Sequence, residues 1–112
     1  MYTQVITFRL SGIDAAEFAD LCDRIAPEYA DVEGLVGKVF VADPDDDGAY
    51  GGVYLWRNRE DAETYTREGL AQILVTDPRF TGFSSRILAV VPGPTAVAGG
   101  PLADLMAGAV KR

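Results

Sequence analysis

Residues 35–42, LVGKVFVA, and residues 50–57, YGGVYLWR, are two runs of β-branched and aromatic side chains divided by a short acidic segment. Each run reads as a strand. Lying so close in sequence, the two form an antiparallel hairpin. The segment between them, Asp43-Pro44-Asp45-Asp46-Asp47-Gly48, carries enough carboxylates to suggest a cation site. It lacks the spacing and terminal glutamate of an EF-hand loop, so it reads as a polar hairpin loop.

A helix and a strand flank this hairpin on each side. On the N-terminal side, residues 2–10, YTQVITFRL, read as a strand ended by Ser11 and Gly12. Asp14 caps the next helix, and Glu17 three residues on completes a capping box. Phe18, Leu21, Cys22, Ile25, Ala26 and Tyr29 then fall at helical spacing. Pro27 interrupts that run and predicts a kink or two abutting helical pieces. On the C-terminal side, Asn58 caps a helix over about 59–69 with Ala62 and Tyr65 on its inner face. Residues 70–76 read as a brief helix, Asp77–Pro78 as a turn and 80–91 as the last strand.

The order is βαββαβ, the split β-α-β pattern of an α+β, ferredoxin-like domain with a four-stranded antiparallel sheet. Two helices cover only one face of such a sheet, so a second subunit is expected on the other. Residues 1–91 make this domain. Residues 92–112, PGPTAVAGGPLADLMAGAVKR, change character and form a C-terminal extension. Its proline and glycine start predicts an extended segment leaving the sheet. Leu102, Leu105, Met106 and Val110 would follow as a short amphipathic piece packing on the dimer partner or the cavity mouth, the alternative being a disordered tail.

Strand residues alternate between faces, so each strand divides into two rows. Ile6, Phe8 and Leu10 in the first strand, Leu35, Val39 and Val41 in the second, Val53 and Leu55 in the third, and Phe83, Ile87 and Ala89 in the fourth are apolar rows suited to the helices. The remaining rows bring together Thr7, Arg9, Lys38, Phe40, Tyr54, Trp56, Ser84 and Arg86. An apolar concavity with a few convergent polar groups suits a small molecule. Phe40, Tyr54 and Trp56 would wall a flat, conjugated ligand, and Lys38 and Arg86 would hold a phenolate, enolate or carboxylate. A filled dimer core or a solvent-facing row are the rival readings. Large aromatics left open to water speak against the second.

The formal net charge of −7 repels phosphate, which argues against nucleic acid and anionic membranes as partners. The chain has no histidine, which excludes imidazole-held haem, Ser-His-Asp and Cys-His sites, and His-rich metal sites. The single cysteine, Cys22, has no internal disulfide partner and reads as a packed thiol. The N-terminus enters a strand with no basic segment, long apolar run or cleavage site, so a cytoplasmic location is expected.

The stretch Gly34-Leu-Val-Gly-Lys38-Val-Phe40, followed by Gly51-Gly52-Val-Tyr54-Leu-Trp56 and a late Pro101-Leu102, resembles the YdhR-like monooxygenases of the dimeric α/β-barrel superfamily. Leu55-Trp56-Arg57-Asn58-Arg59-Glu60 is similar to the antibiotic-biosynthesis monooxygenases of the same superfamily. Trp56 matches that motif directly and Asn58 loosely, and the histidine that often ends the following helix is missing. The resemblance implies a homodimer whose sheets form a barrel with one cavity per subunit. It also implies oxygenation of an aromatic or polyketide-like small molecule without metal, flavin or other cofactor.

The resulting expectation is a cofactor-independent monooxygenase. Arg86 and Lys38 would stabilise a substrate anion and superoxide, and Tyr54 would orient substrate or shuttle a proton. Trp56, Phe40, Thr7, Asn58 and Ser84 would bind substrate. No residue is an obvious strong base; Lys38 serves if burial lowers its pKa. A polyketide cyclase or isomerase using the same cavity, and a non-catalytic binding dimer, are the alternatives.

Overall fold

A computed structural model describes residues 1–110, with side chains described through Leu105. Strands β1 (Tyr2–Leu10), β2 (Leu35–Ala42), β3 (Ala49–Trp56) and β4 (Phe80–Ala89) form one antiparallel sheet in the order β2-β3-β1-β4. Helix α1 (Ala15–Ile25) joins β1 to β2, and α2 (Arg59–Glu68) with the short α3 (Ile73–Thr76) joins β3 to β4. This is the expected ferredoxin-like arrangement.

The local signals act as read. The Asp14 carboxylate accepts from the Glu17 amide while the Glu17 side chain accepts from the Asp14 amide, so two orphan donors of α1 are satisfied. Pro27 cannot donate within a helix, and the chain tightens into a 3₁₀ segment, Ala26–Asp31, that directly follows α1. Asn58 caps α2 by accepting from the Asp61 amide. The acidic loop is a polar turn, in which Asp43 accepts from the Asp45 amide and Asp46 pairs with Arg9.

The core lies between the sheet and the helices. Ile6, Phe8, Tyr54, Trp56, Ala62, Tyr65, Ala71 and Phe80 form it. Fully burying one large apolar side chain is worth about 1.5–3 kcal/mol, so aromatic residues dominate the stability of so small a core. Trp56 is completely buried, and its ring lies nearly parallel to that of Tyr54 with centroids 6.1 Å apart. Phe80 joins this core because β4 carries a register shift opposite Thr7–Arg9. Gly82, at φ +65°, takes the left-handed turn there that other residues resist. The opposite sheet face is open, with Val39 61% exposed and Val5 and Val53 each 37%.

The extension differs from expectation. Residues expected to leave the sheet extended form helix α4 (Pro92–Ala98), followed by α5 (Pro101–Val110), which runs close to β2. Pro92 sits in the first turn of α4, where a missing amide costs nothing and the fixed φ favours the helix. Leu102 and Leu105 are exposed on α5, and the side chains of Met106 and Val110 lie outside the described residues.

Candidate active site

Residues directly opposite one another in an antiparallel pair share a face. Lys38 pairs with Tyr54, Tyr54 with Gln4, and Gln4 with Ile87. The next row on that face is Phe40, Gly52, Ile6 and Ser85. This is the face that α1 and α2 cover. Lys38, Phe40 and Tyr54 therefore line a cavity between sheet and helices, closed by Phe18, Leu21, Cys22 and Ile25 of α1, by Tyr29, and by Leu70, Ile73 and Leu74.

The cavity is narrow. About 40 Å³ is open to the centre of a water-sized sphere, room for roughly three waters. Lys38 lines it with its amine among aromatic rings. Its Nζ lies 3.9 Å from the Tyr29 ring centroid, 3.9 Å from that of Phe40 and 4.8 Å from that of Tyr54. Each ring face attracts the ammonium. Gly52 makes room beneath: a Cβ there would come within 2.9 Å of both Lys38 Cε and Tyr54 Cε1. Among the described residues, Lys38 makes no side-chain hydrogen bond and has no carboxylate within 4.0 Å. Burial pushes its pKa down to about 8, against a smaller opposing pull from Cys22. The Cys22 thiol is itself pushed up, chiefly by burial.

Two phenols, Tyr29 and Tyr54, line the cavity, and a third, Tyr65, stands behind them in the core. Tyr65 Oη lies 2.9 Å from Tyr29 Oη and 3.0 Å from Tyr54 Oη, so one hydroxyl ties the 3₁₀ segment, β3 and α2 together. Burial drives all three pKa values upward, and the neighbouring phenols push Tyr65 and Tyr54 further. The three stay protonated at neutral pH. Behind them, the fully buried Gln4 accepts from Trp56 Nε1 at 3.0 Å and donates to Thr66 Oγ1 at 2.7 Å and Ser85 Oγ at 2.9 Å. That network locks the indole, and hence the stacked Tyr54 ring, in one orientation.

The expected row of eight residues is divided between the two faces. Lys38, Phe40, Tyr54 and Trp56 share the covered face, but Trp56 lies in the core behind the cavity and does not line it. Thr7 pairs with Gly51 and Ser84, and Arg86 with Val5, in rows that belong to the open face. Arg9, also there, is held by Asp46. Thus Arg86, Thr7, Ser84 and Arg9 cannot meet Lys38 at one ligand within a chain, which corrects the expected pocket. The cause is phase. Alternation assigns rows within each strand, but only the register between strands decides which row of β1 and β4 joins the aromatic row of the hairpin. Asn58 is exposed at the start of α2, its side chain occupied by the cap and a 2.9 Å contact to Asp61. Sequence reasoning missed Gln4 and took Tyr29, Tyr65 and Cys22 as packing residues. The polar tips of two tyrosines on apolar helical faces were the available signal, since a buried phenol seeks a partner. Among the described residues no group of three or more His, Cys, Asp or Glu side chains is placed to hold a metal.

A family model described as "Putative mono-oxygenase ydhR" matches residues 4–101. The chain belongs to the ydhR family. No curated protein sequence matches it. Among solved structures, this ydhR-family chain is similar to a putative antibiotic biosynthesis monooxygenase from Deinococcus radiodurans. That match has a TM-score of 0.65 at 18% identity and covers 80% of this chain and 92% of that one. It is also similar to SnoaB, a cofactor-independent oxygenase from Streptomyces nogalater, with TM-score 0.61 at 19% identity over 80% and 91% of the two chains. A third similar structure is MhuD with two manganese protoporphyrin IX bound per active site, with TM-score 0.63 at 15% identity over 81% and 95%. At such identities the likeness is one of fold. The ydhR-family chain has no histidine to offer a porphyrin metal. Among its described residues, no helix is long and apolar enough to cross a membrane.

Proposed function

We propose that this chain is a cofactor-independent monooxygenase that oxidises an electron-rich phenol or a polyketide-like aromatic in the cavity between sheet and helices. The observation that supports this reading is Lys38: an amine lodged among three aromatic rings, without a carboxylate partner among the described residues, its pKa lowered to about 8. Such an amine takes a proton near neutral pH and then, as an ammonium, holds the resulting anion. The wall must move to admit a ring system, and Lys38, on its flexible stem, is the side chain that yields most easily.

The chemistry balances as follows. Neutral Lys38 takes the hydroxyl proton of the enol or phenol tautomer of a ring methylene. The anion passes one electron to O₂, and the radical and superoxide join at the ring carbon as a peroxide anion. The Lys38 ammonium returns its proton to that anion. The O–O bond then breaks as the carbon loses its remaining hydrogen as a proton, giving a carbonyl and water. Phe40, Tyr29 and Tyr54 stack against the substrate, and Tyr65 fixes the two tyrosines. Arg86, across the sheet, takes no part within one chain. The same base and cavity would serve a cyclase, which product mass distinguishes.

The test is oxygen uptake by the purified protein with polycyclic phenols. The expected product gains one oxygen and loses two hydrogens. Binding of the panel without oxygen uptake would overturn the oxygenase reading, and a product lighter by one water would mark a cyclase.

The open face carries a second part of the proposal. Val39, Val53 and Val5 form a continuous apolar row on it. Burial of this row against a second copy would build the homodimeric barrel, with α5 near its β2 rim.

A further inference from the structure

We infer that Lys38 is also a carbonyl-condensing nucleophile: it forms an imine with an aldehyde or ketone ligand admitted to the cavity. The inference shares the cavity and the nitrogen of the proposed oxygenase, but it needs no oxygen. Three observations carry it.

First, the Nζ is held at a defined place by ring faces and, among the described residues, not by a hydrogen-bond acceptor or carboxylate. Ring faces attract only the ammonium, so loss of a proton releases the nitrogen with its lone pair free. An ion-paired lysine would stay protonated and engaged. Second, the walls are aliphatic and aromatic, apart from Cys22 and the tyrosines. Imine formation expels water, and a site that excludes water favours it. Third, Gly52 lets the lysine stem lie directly over β3, where any Cβ would crowd Cε. The absence of a side chain at Gly52 thus fixes where the stem runs and brings the amine into the cavity. The lowered pKa supplies free amine near neutral pH and supports the same reading.

The step balances. The nitrogen lone pair attacks the carbonyl carbon, a proton passes from nitrogen to the former carbonyl oxygen, and the carbinolamine loses water to leave a C=N bond. No oxidant or reductant takes part.

The chain contains one other lysine, Lys111, and one α-amino group, at Met1. Both serve as internal references in the intact protein. Incubation with benzaldehyde and sodium cyanoborohydride under nitrogen, followed by peptide mass analysis, compares labelling at the three amines. The expected result is that Lys38 labels about tenfold to a hundredfold faster than Lys111 near neutral pH. The fall from 10.5 to about 8 raises the free-amine fraction near neutral pH roughly 300-fold, and the weaker nucleophilicity of a less basic amine in a narrow cavity brings the expected ratio down to that range. Labelling of Lys38 no faster than Lys111 would overturn the inference. The outcome separates from that of the oxygenase reading: labelling without oxygen uptake leaves the imine site standing alone, and oxygen uptake without labelling leaves only the base.

Discussion

Replacing Lys38 by methionine tests the electrostatics of the cavity directly. The folded-state pKa of Lys38 falls from 10.5 to about 8, because the protein environment disfavours the charged form. The folded chain therefore binds fewer protons than the unfolded chain between these two values. Stability rises with pH wherever the unfolded state binds more protons, so Lys38 contributes a penalty that is full below pH 8 and relieved toward pH 10.5. A shift of that size corresponds to about 3 kcal/mol. Residual solvent access and attraction by three rings reduce it to about 2 kcal/mol. The buried phenols act oppositely: Tyr29, Tyr54 and Tyr65 have raised pKa values, so their contribution is lost as pH rises past the ordinary tyrosine range. Cys22, raised by burial, also loses stability at alkaline pH. The single-chain curve mixes all of these, and the difference between wild type and K38M isolates the lysine, apart from its small coupling to Cys22. Denaturant unfolding at a series of pH values from 7 to 10 measures it. K38M should be the more stable protein near pH 7 by about 2 kcal/mol, with the gap closing toward pH 10. A gap independent of pH would refute the claim that Lys38 is desolvated in the folded chain.

Gln4→Leu should cost about 2 kcal/mol, since it strands the buried indole N–H of Trp56, and the loss would appear as a lower denaturation midpoint with unchanged m-value. Gly52→Ala places a methyl group against Lys38 Cε and the Tyr54 ring; it should narrow the cavity and weaken binding of a polycyclic phenol about tenfold or more in a calorimetric titration, while far-ultraviolet dichroism stays unchanged. Val53→Asp, on the open face, should shift the protein toward monomer in sedimentation velocity, whereas an unchanged sedimentation coefficient would remove this face from the interface.

Much of the architecture was legible because its causes are local. The Asp14–Glu17 capping box, the Asn58 cap, the break at Pro27 and the short helix after Gly69 each follow from residues within a few positions of one another. The β2–β3 hairpin is nearly local too, so Lys38, Phe40, Tyr54 and Trp56 were rightly read as one face. That face was then matched to the wrong rows of β1 and β4. Ile6 and Phe8 lie beside Gly52 and Tyr50, not opposite them across the sheet, and Arg86 and Ser84 lie with the valines. Nothing within a strand states its phase relative to a distant strand: the alternation has period two, and a slip of one residue exchanges the faces. The bulge at Gly82 compounds this by turning Phe80 inward. The tyrosine bridge through Tyr65 joins segments 36 and 11 residues apart and exists only once α2 and the 3₁₀ segment are docked. The sequence alone thus determined the order of elements, the helix ends and the aromatic, lysine-bearing character of the hairpin face. Only the packed structure decided that this face looks inward, because the choice rests on long-range strand pairing and on which side the helices bury.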